Sequence, residues 1–162
     1  MFAMALLAVQ LNHSPVRSSI LSDLLKVSDS YLKKIVRRLS SADLVHTATG
    51  PGGGIRIAKS ADQISLGEIC RAVEDNPWVT TVEDIKTQAL FAREGVSQTM
   101  YKLASTLVDA GRSFDSVLNS NTLANHLPKN SWQQGIIDWN TWWYEHYSGE
   151  NDESPEPLKW PI

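Results

Sequence analysis

A chain of 162 residues, 42% hydrophobic and 20% charged, can bury one core and matches neither a disordered nor a fibrous composition. Its single cysteine, Cys70, excludes an internal disulfide framework and any metal site built from several thiolates of one chain. The formal charge of −3 is unevenly spread: up to Ser60 eight bases face three acids, leaving +5, and the remaining residues carry −8. A basic N-terminal unit on an acidic body is the footprint of nucleic-acid binding, with a lopsided solvated surface as the alternative.

The apolar opening, residues 1–9, is too short to cross a bilayer and has no bases before it. It reads as the first buried helix rather than a signal peptide, which points to a cytoplasmic protein without a membrane anchor. Leu6, Leu7, Val9 and Leu11 predict a helix over residues 2–11, broken by His13-Ser14-Pro15. A second short helix fits residues 18–26, with Ser18 or Ser19 as cap and Ile20, Leu21, Leu24 and Leu25 buried. Val27 and Ser28 form a tight joint, and Ser28 is the expected N-cap of a third helix over residues 29–41.

In that third helix Leu32, Ile35, Val36 and Leu39 recur at steps of three and four, giving one apolar stripe. Ser30, Lys33, Lys34, Arg37 and Arg38 fall largely outside it. Two short helices joined by a tight turn, the second with a cationic outer face, form a helix-turn-helix layout. Two strand-like runs, residues 44–49 and 55–58, then flank Gly50-Pro51-Gly52-Gly53-Gly54. This is a hairpin whose glycine-rich tip, with Gly52 and Gly53 at its centre, can approach DNA phosphates as a wing. A nucleotide-phosphate loop fails on context, because Ile55-Arg56-Ile57-Ala58 follows the glycines instead of Gly-Lys-Ser/Thr opening a helix.

Helices are expected over residues 66–74, with Leu66, Ile69, Ala72 and Val73 inward, and over 82–93. Over residues 97–118 Met100, Leu103, Leu107, Ala110, Phe114 and Val117 alternate steps of three and four. That is a heptad seam, read as a dimer contact with packing against the chain's own domain as the alternative. Gly111 beside Ala110 is expected to allow close approach at the crossing. From Pro128 the composition changes. A helix starting at Asn130 or Ser131 would carry Trp132, Ile136, Trp139, Trp143 and Tyr147 on one face, with Ser131 and Gln134 at capping-box spacing and Gly149 as the stop. It reads as a helix docked on its own dimer, with a ligand or partner surface as the alternative. Residues 150–162, with four acids and three prolines, read as a mobile tail.

The order of features over residues 2–127 resembles the Rrf2 family of bacterial winged-helix regulators. The carrying segments are Ser28-Asp29-Ser30-Tyr31-Leu32-Lys33-Lys34-Ile35, Leu39-Ser40-Ser41-Ala42-Asp43-Leu44-Val45 and Gly50-Pro51-Gly52-Gly53-Gly54-Ile55. They continue with Ile64-Ser65-Leu66-Gly67-Glu68-Ile69-Cys70-Arg71-Ala72-Val73-Glu74 and, late in the chain, Leu118-Asn119-Ser120-Asn121-Thr122-Leu123-Ala124. The resemblance implies base-edge and phosphate contacts from Ser28, Ser30, Tyr31, Lys33 and Lys34. Arg37 and Arg38 would lie along the backbone, and Arg17, Gly52, Gly53 and Arg56 would complete the DNA-binding set. It also implies a homodimer held by Met100, Leu103, Leu107 and Phe114. Sensing members carry three cysteines before the dimer helix, where they hold an iron–sulfur cluster. Residues 75–96 contain none, and Cys70 reads as buried apolar filler, so this is a member lacking the cluster cysteines, with no cofactor and no metal.

The expected fold is therefore mainly α (α+β): a winged helix-turn-helix over residues 1–76, a linker helix and long dimerisation helix over 77–127, and a Trp-rich helix with an acidic tail over 128–162. An enzyme is disfavoured, since His13, His46, His126 and His146 are scattered and Cys70 has no sequence-adjacent base. The expected function is transcriptional repression by a homodimer on a palindromic stretch of double-stranded DNA. The alternatives are a regulator sensing an unidentified small-molecule or protein effector through the Trp-rich region, and an interaction module that has lost DNA binding. The second alternative leaves Lys33, Lys34, Arg37 and Arg38 together without a purpose.

Overall fold

The computed structural model describes residues 1–74 and 94–147, the side chains of 94–101 and of Tyr147 excepted. Its helices are α1 (Phe2–Ala8), α2 (Ser18–Leu25), α3 (Asp29–Ser41), α4 (Leu66–Val73), α5 (Glu94–Ser120) and α6 (Trp139–Tyr147). Two antiparallel strands, β1 (Val45–Ala48) and β2 (Gly54–Ile57), form the wing, and single 3₁₀ turns cover Leu11–His13, Ala61–Gln63 and Leu123–His126. The helix expected over residues 82–93, Gly149 and the tail over 150–162 lie outside the described residues. Among the described residues no helix is long and apolar enough to cross a membrane.

The apolar stripes read from the sequence meet in one core that includes Met4, Leu7, Ile20, Leu21, Leu32, Leu39, Leu44, Ile64 and Ile69. The joint between α2 and α3 is sharp because Lys26 takes a left-handed conformation (φ +55°) and Val27 N–H returns to Ser22 O. Ser28 then caps α3, its Oγ accepting from Tyr31 N–H at 3.3 Å. Neither Ser18 nor Ser19 caps α2. Arg17 holds the N-cap position without a side-chain bond, because the backbone entering α2 is held from outside the helix.

That outside partner is the wing. Val45 pairs with Ile57 and Ala48 with Gly54, and Val16 adds a one-residue antiparallel bridge by exchanging hydrogen bonds with Ile55 at 2.9 and 2.8 Å. Gly54 makes this approach possible, since a Cβ there would sit 2.5 Å from Val16 O. At the tip Gly52 adopts φ +80° with open space around it.

A full capping box starts α4: Glu68 accepts from Ser65 N–H at 2.8 Å while Ser65 Oγ accepts from Glu68 N–H at 3.1 Å. The Ser65 backbone hydrogen bond holds the Glu68 carboxyl below the usual carboxylate range. Ile69 is buried, whereas Cys70 is half-buried rather than buried, because it lies beside the packed face and not on it. Arg71 spans to α5, donating to Asp115 Oδ1 at 2.6 Å and Asn119 Oδ1 at 2.8 Å.

On α5, Ala104, Val108 and Gly111 are buried against the chain's own residues. Gly111, expected at a crossing of two helices, is thus buried within its own chain. Leu103, Leu107, Phe114 and Val117 stand 56, 55, 45 and 60% exposed on another face. Met100 lies on α5, with its side chain outside the described residues.

The C-terminal region departs most from expectation. Residues 130–137 are not helical; Asn130 and Gly135 have φ of +64° and +71°, and α6 starts only at Trp139. The reason is long-range. Val9 O accepts from both Ile136 N–H (2.9 Å) and Ile137 N–H (3.2 Å), while Leu11 N–H and Asn12 N–H donate to Ile137 O and Gln134 O. The same bonds end α1 at Ala8, short of the expected position 11, with Asn12 and His13 at positive φ. No capping box forms at Ser131, whose Oγ is buried without a partner.

Gln10, fully buried, is the polar centre of this junction. Its Oε1 accepts from Trp139 N–H at 2.9 Å, and its Nε2 donates to Ser14 Oγ at 2.7 Å and Asp138 Oδ1 at 3.1 Å. Trp139 itself is fully buried and donates Nε1–H to Leu6 O at 2.8 Å; Trp143 Nε1–H reaches Asp23 Oδ2 at 3.1 Å. The Trp-rich helix is thus docked on α1 and α2 of its own chain.

Trp139→Ala should lower unfolding stability by about 3–5 kcal/mol, the range for emptying a large aromatic site, as measured by urea titration with circular dichroism. For Asp138 burial raises the carboxyl pKa, but hydrogen bonds from Gln10, Thr141 and the backbone outweigh it and leave the group below its usual value. A depressed carboxyl contributes stability that is present above its unfolded value and lost as pH falls through the folded one. Docking of α6 should therefore weaken in acid, and Asp138→Asn should flatten that part of the pH profile.

Candidate nucleic-acid interface

The outer face of α3, the start of α2 and the inner side of the wing enclose a groove of about 750 Å³. Arg17, Ser19, Lys33, Arg37, Thr47 and the glycines from Gly50 to Gly54 contribute to its lining, and none of the described lining residues is acidic. Leu32, Val36 and Ile55 form the floor. Ser28, Ser30 and Tyr31 lie exposed at the N-terminus of α3, with Ser28 Oγ and Ser30 Oγ 3.2 Å apart. This helix end combines free backbone N–H groups with the positive end of the helix dipole, both suited to phosphate oxygens. Lys33 pairs with Asp29 at 2.6 Å, yet both side chains are mostly exposed (68 and 51%), so the pair is weak and exchangeable.

The helical period separates the four bases of α3. Lys33 and Arg37 line the groove, and Arg37 also borders a second depression that it shares with Lys34, Arg38, Ser41, Ala42 and Ala72. Arg38, expected along the DNA backbone, also has a partner inside the chain. It is half-buried, and its Nη1 donates to Val73 O at the end of α4, where an unsatisfied helix carbonyl attracts a cation. Arg56 is exposed on β2 opposite His46, on the outward side of the wing, because the pleat sends Ile55 and Ile57 inward. Gly52 and Gly53 are both at the tip, but Gly53 also answers an internal need: a Cβ there would lie 2.4 Å from Ala48 O. Ser18, Ser19 and Thr47 line the groove unforeseen by the sequence reading. A Ser-Ser pair opening the first helix of the motif was the one signal that could have found two of them.

A family model described as "Rrf2: Iron-dependent Transcriptional regulator" matches residues 1–128. The chain belongs to the Rrf2 family. Rrf2 relatives include an HTH-type transcriptional regulator of Haemophilus influenzae, 30% identical over 123 residues that cover 76% of this chain and 77% of that protein. NsrR of Shouchella clausii is 34% identical over 70 residues, covering 43% of this chain and 47% of its own length. The chain thus spans about half the length of this curated relative and about three quarters of the other. Among solved structures, T. potens IscR matches with a TM-score of 0.53 at 25% identity, covering 76% of this chain and 77% of that one. CymR of B. subtilis matches with a TM-score of 0.54 at 24% identity, covering 74% and 83%, which supports the fold. These relatives are transcriptional regulators and not enzymes.

The iron named in the Rrf2 description finds no fitting donor set among the described residues. Cys70 is the chain's single cysteine, and among the described residues no group of three or more His, Cys, Asp or Glu is placed to hold a metal ion. An iron–sulfur cluster is usually held by four thiolates, so even two chains fall short.

The contrast between Arg37 and Arg38 gives a test of this geometry. Arg38→Ala should reduce thermal stability by a few degrees and leave the salt slope of any duplex binding unchanged, whereas Arg37→Ala should do the reverse.

Proposed function

We propose that the protein is a transcription regulator that binds double-stranded DNA as a homodimer, and that it represses by occupying a palindromic operator. The observation that carries this reading is the groove between α3 and the wing, lined by Arg17, Lys33 and Arg37 without a described acid. A helix of about 10–12 Å diameter enters a major groove about 12 Å wide, and the glycine tip beside it lets backbone approach the flanking phosphates. Lys33 and Lys34, near the N-terminus of α3, are the base-reading candidates; Arg37 and Arg56 are the phosphate contacts. Repression needs occupancy alone, while activation needs a further contact to polymerase. A cytoplasmic location follows from the DNA partner.

The homodimer is supported by the stripe of Leu103, Leu107, Phe114 and Val117, exposed while Ala104 and Val108 of the same helix are buried. One chain offers a single α3, and two half-sites read together give the contacts that one half-site lacks. For the alternative of sensing through the Trp-rich region, Trp139 is buried and hydrogen-bonded within the core and Trp143 donates to Asp23, while Trp132 and Trp142 are only half-buried.

Three measurements test the reading. Arg37→Ala and Arg56→Ala should weaken operator and random duplexes alike and flatten the log–log salt slope by about one unit each. Lys33→Ala or Lys34→Ala should instead lower the operator preference, by about 1–3 kcal/mol for a lost base contact. Unchanged binding in all four variants would place DNA on another face. Leu107→Asp should give a folded monomer by light scattering and remove specific binding, because each dimer would bury two unpaired carboxylates; a wild type that is monomeric at micromolar concentration would overturn the dimer. Anaerobically purified protein should contain no stoichiometric iron or labile sulfide.

A further inference from the structure

Residues 129–147 lie beyond the family match, yet they reach the groove through one residue, Arg17. We infer that Tyr144 and Asn140, on α6, are positioning residues that set Arg17 for a DNA phosphate, so that the C-terminal helix takes part in DNA binding without touching the duplex. The inference rests on the DNA-binding reading above.

Three contacts converge on the chain entering α2. Asn140 Nδ2 donates to Pro15 O at 3.0 Å, and its Oδ1 accepts from Arg17 N–H at 3.4 Å. One side-chain amide therefore pairs with the backbone of residues 15 and 17 as a neighbouring strand would. On the opposite edge of that short segment Val16 is paired with Ile55 of the wing. The segment is held from both sides, with the tail on one and the wing on the other. The third contact acts on the side chain: Arg17 Nη1 donates to Tyr144 Oη, and the guanidinium carbon stands 5.7 Å from the Tyr144 ring centroid.

A free arginine at this position loses rotamer freedom when it engages a phosphate, and that loss weakens the contact. Tyr144 removes part of the freedom beforehand. The guanidinium has five N–H donors, and the contact with Tyr144 uses Nη1, leaving donors on the other nitrogen atoms for an incoming phosphate. Arg17 is exposed and lines the same groove as Lys33 and Arg37, so an ordered guanidinium here faces the phosphates that flank a helix lying in the major groove. Asn140 and Tyr144 are four apart, on one side of α6, while Trp139 and Trp143 anchor the helix to Leu6 and Asp23. Anchoring and positioning are thus divided between two sides of one short helix.

The test is a double-mutant cycle on the full chain: wild type, Arg17→Ala, Tyr144→Phe and the double variant, titrated with random duplex at several salt concentrations. Arg17→Ala should weaken binding and flatten the salt slope by about one unit. Tyr144→Phe keeps the ring and removes the acceptor; it should weaken binding about three- to tenfold with unchanged melting temperature, and should cost nothing further once Arg17 is gone. If Arg17→Ala disturbs folding, Arg17→Lys supplies the second corner of the cycle, since a lysine keeps the charge and loses the planar fork. Equal losses from Tyr144→Phe with and without Arg17 would overturn the positioning role, as would no loss at all. Arg37→Ala in the same titrations separates the two levels: if it weakens binding while Arg17→Ala and Tyr144→Phe do not, only this inference falls. If none of the three matters, the DNA-binding face falls with it.

Discussion

Two backbone hydrogen bonds between Val16 and Ile55 hold the wing to the start of the helix-turn-helix, and much of the molecule is arranged around that short pairing. A two-stranded hairpin alone is marginal in water. With Val16 bridged to Ile55 it has a fixed attitude toward α3, and the groove between them has a fixed width. The pairing requires a glycine at position 54, where any side chain would collide with Val16 O. It also requires the chain before α2 to be extended, which Pro15 favours and Asn140 secures from the other edge. Local residue choice, wing geometry and tail docking therefore meet on three consecutive backbone units.

The helix-turn-helix and wing could be read from the sequence because their causes are local. The stripe of Leu32, Val36 and Leu39, the cap at Ser28 and the glycines of the tip each act within a few residues of themselves. The long helix was legible for the same reason; of its expected seam Leu103, Leu107, Phe114 and Val117 stand exposed, while Ala104 and Val108 are buried. What could not be read has distant causes. Ser131 and Gln134 have the spacing of a capping box, but Val9, Leu11 and Asn12 capture the backbone there and forbid the helix. Arg38 reads as one more base on a cationic face, and nothing local announces its bond to a carbonyl of α4, 35 positions away. Gly111 is buried within its own chain, on the side of α5 that carries Ala104 and Val108.

Gln10 shows how a polar residue can be central to an otherwise apolar junction. Its amide would be costly to bury alone, yet both ends are satisfied: Oε1 by Trp139 N–H, and Nε2 by Ser14 and by Asp138 of the tail. A leucine would pack as well but would leave Trp139 N–H without its acceptor and take one donor from the Asp138 carboxylate. The junction thus specifies one docking register for the tail, where an apolar contact would tolerate several.

Arg71, bound at once to Asp115 and Asn119, makes α4 and the C-terminal half of α5 one stiff unit. In a dimer joined along α5 such a unit behaves as a lever, and the span between the two DNA-reading heads depends on where along their length the two long helices cross. Sliding that crossing by one helical turn shifts a head by about 5.4 Å, against about 3.4 Å per base step along the duplex. Operator length could then drift in evolution through substitutions on α5 alone, while the residues that read bases stay as they are.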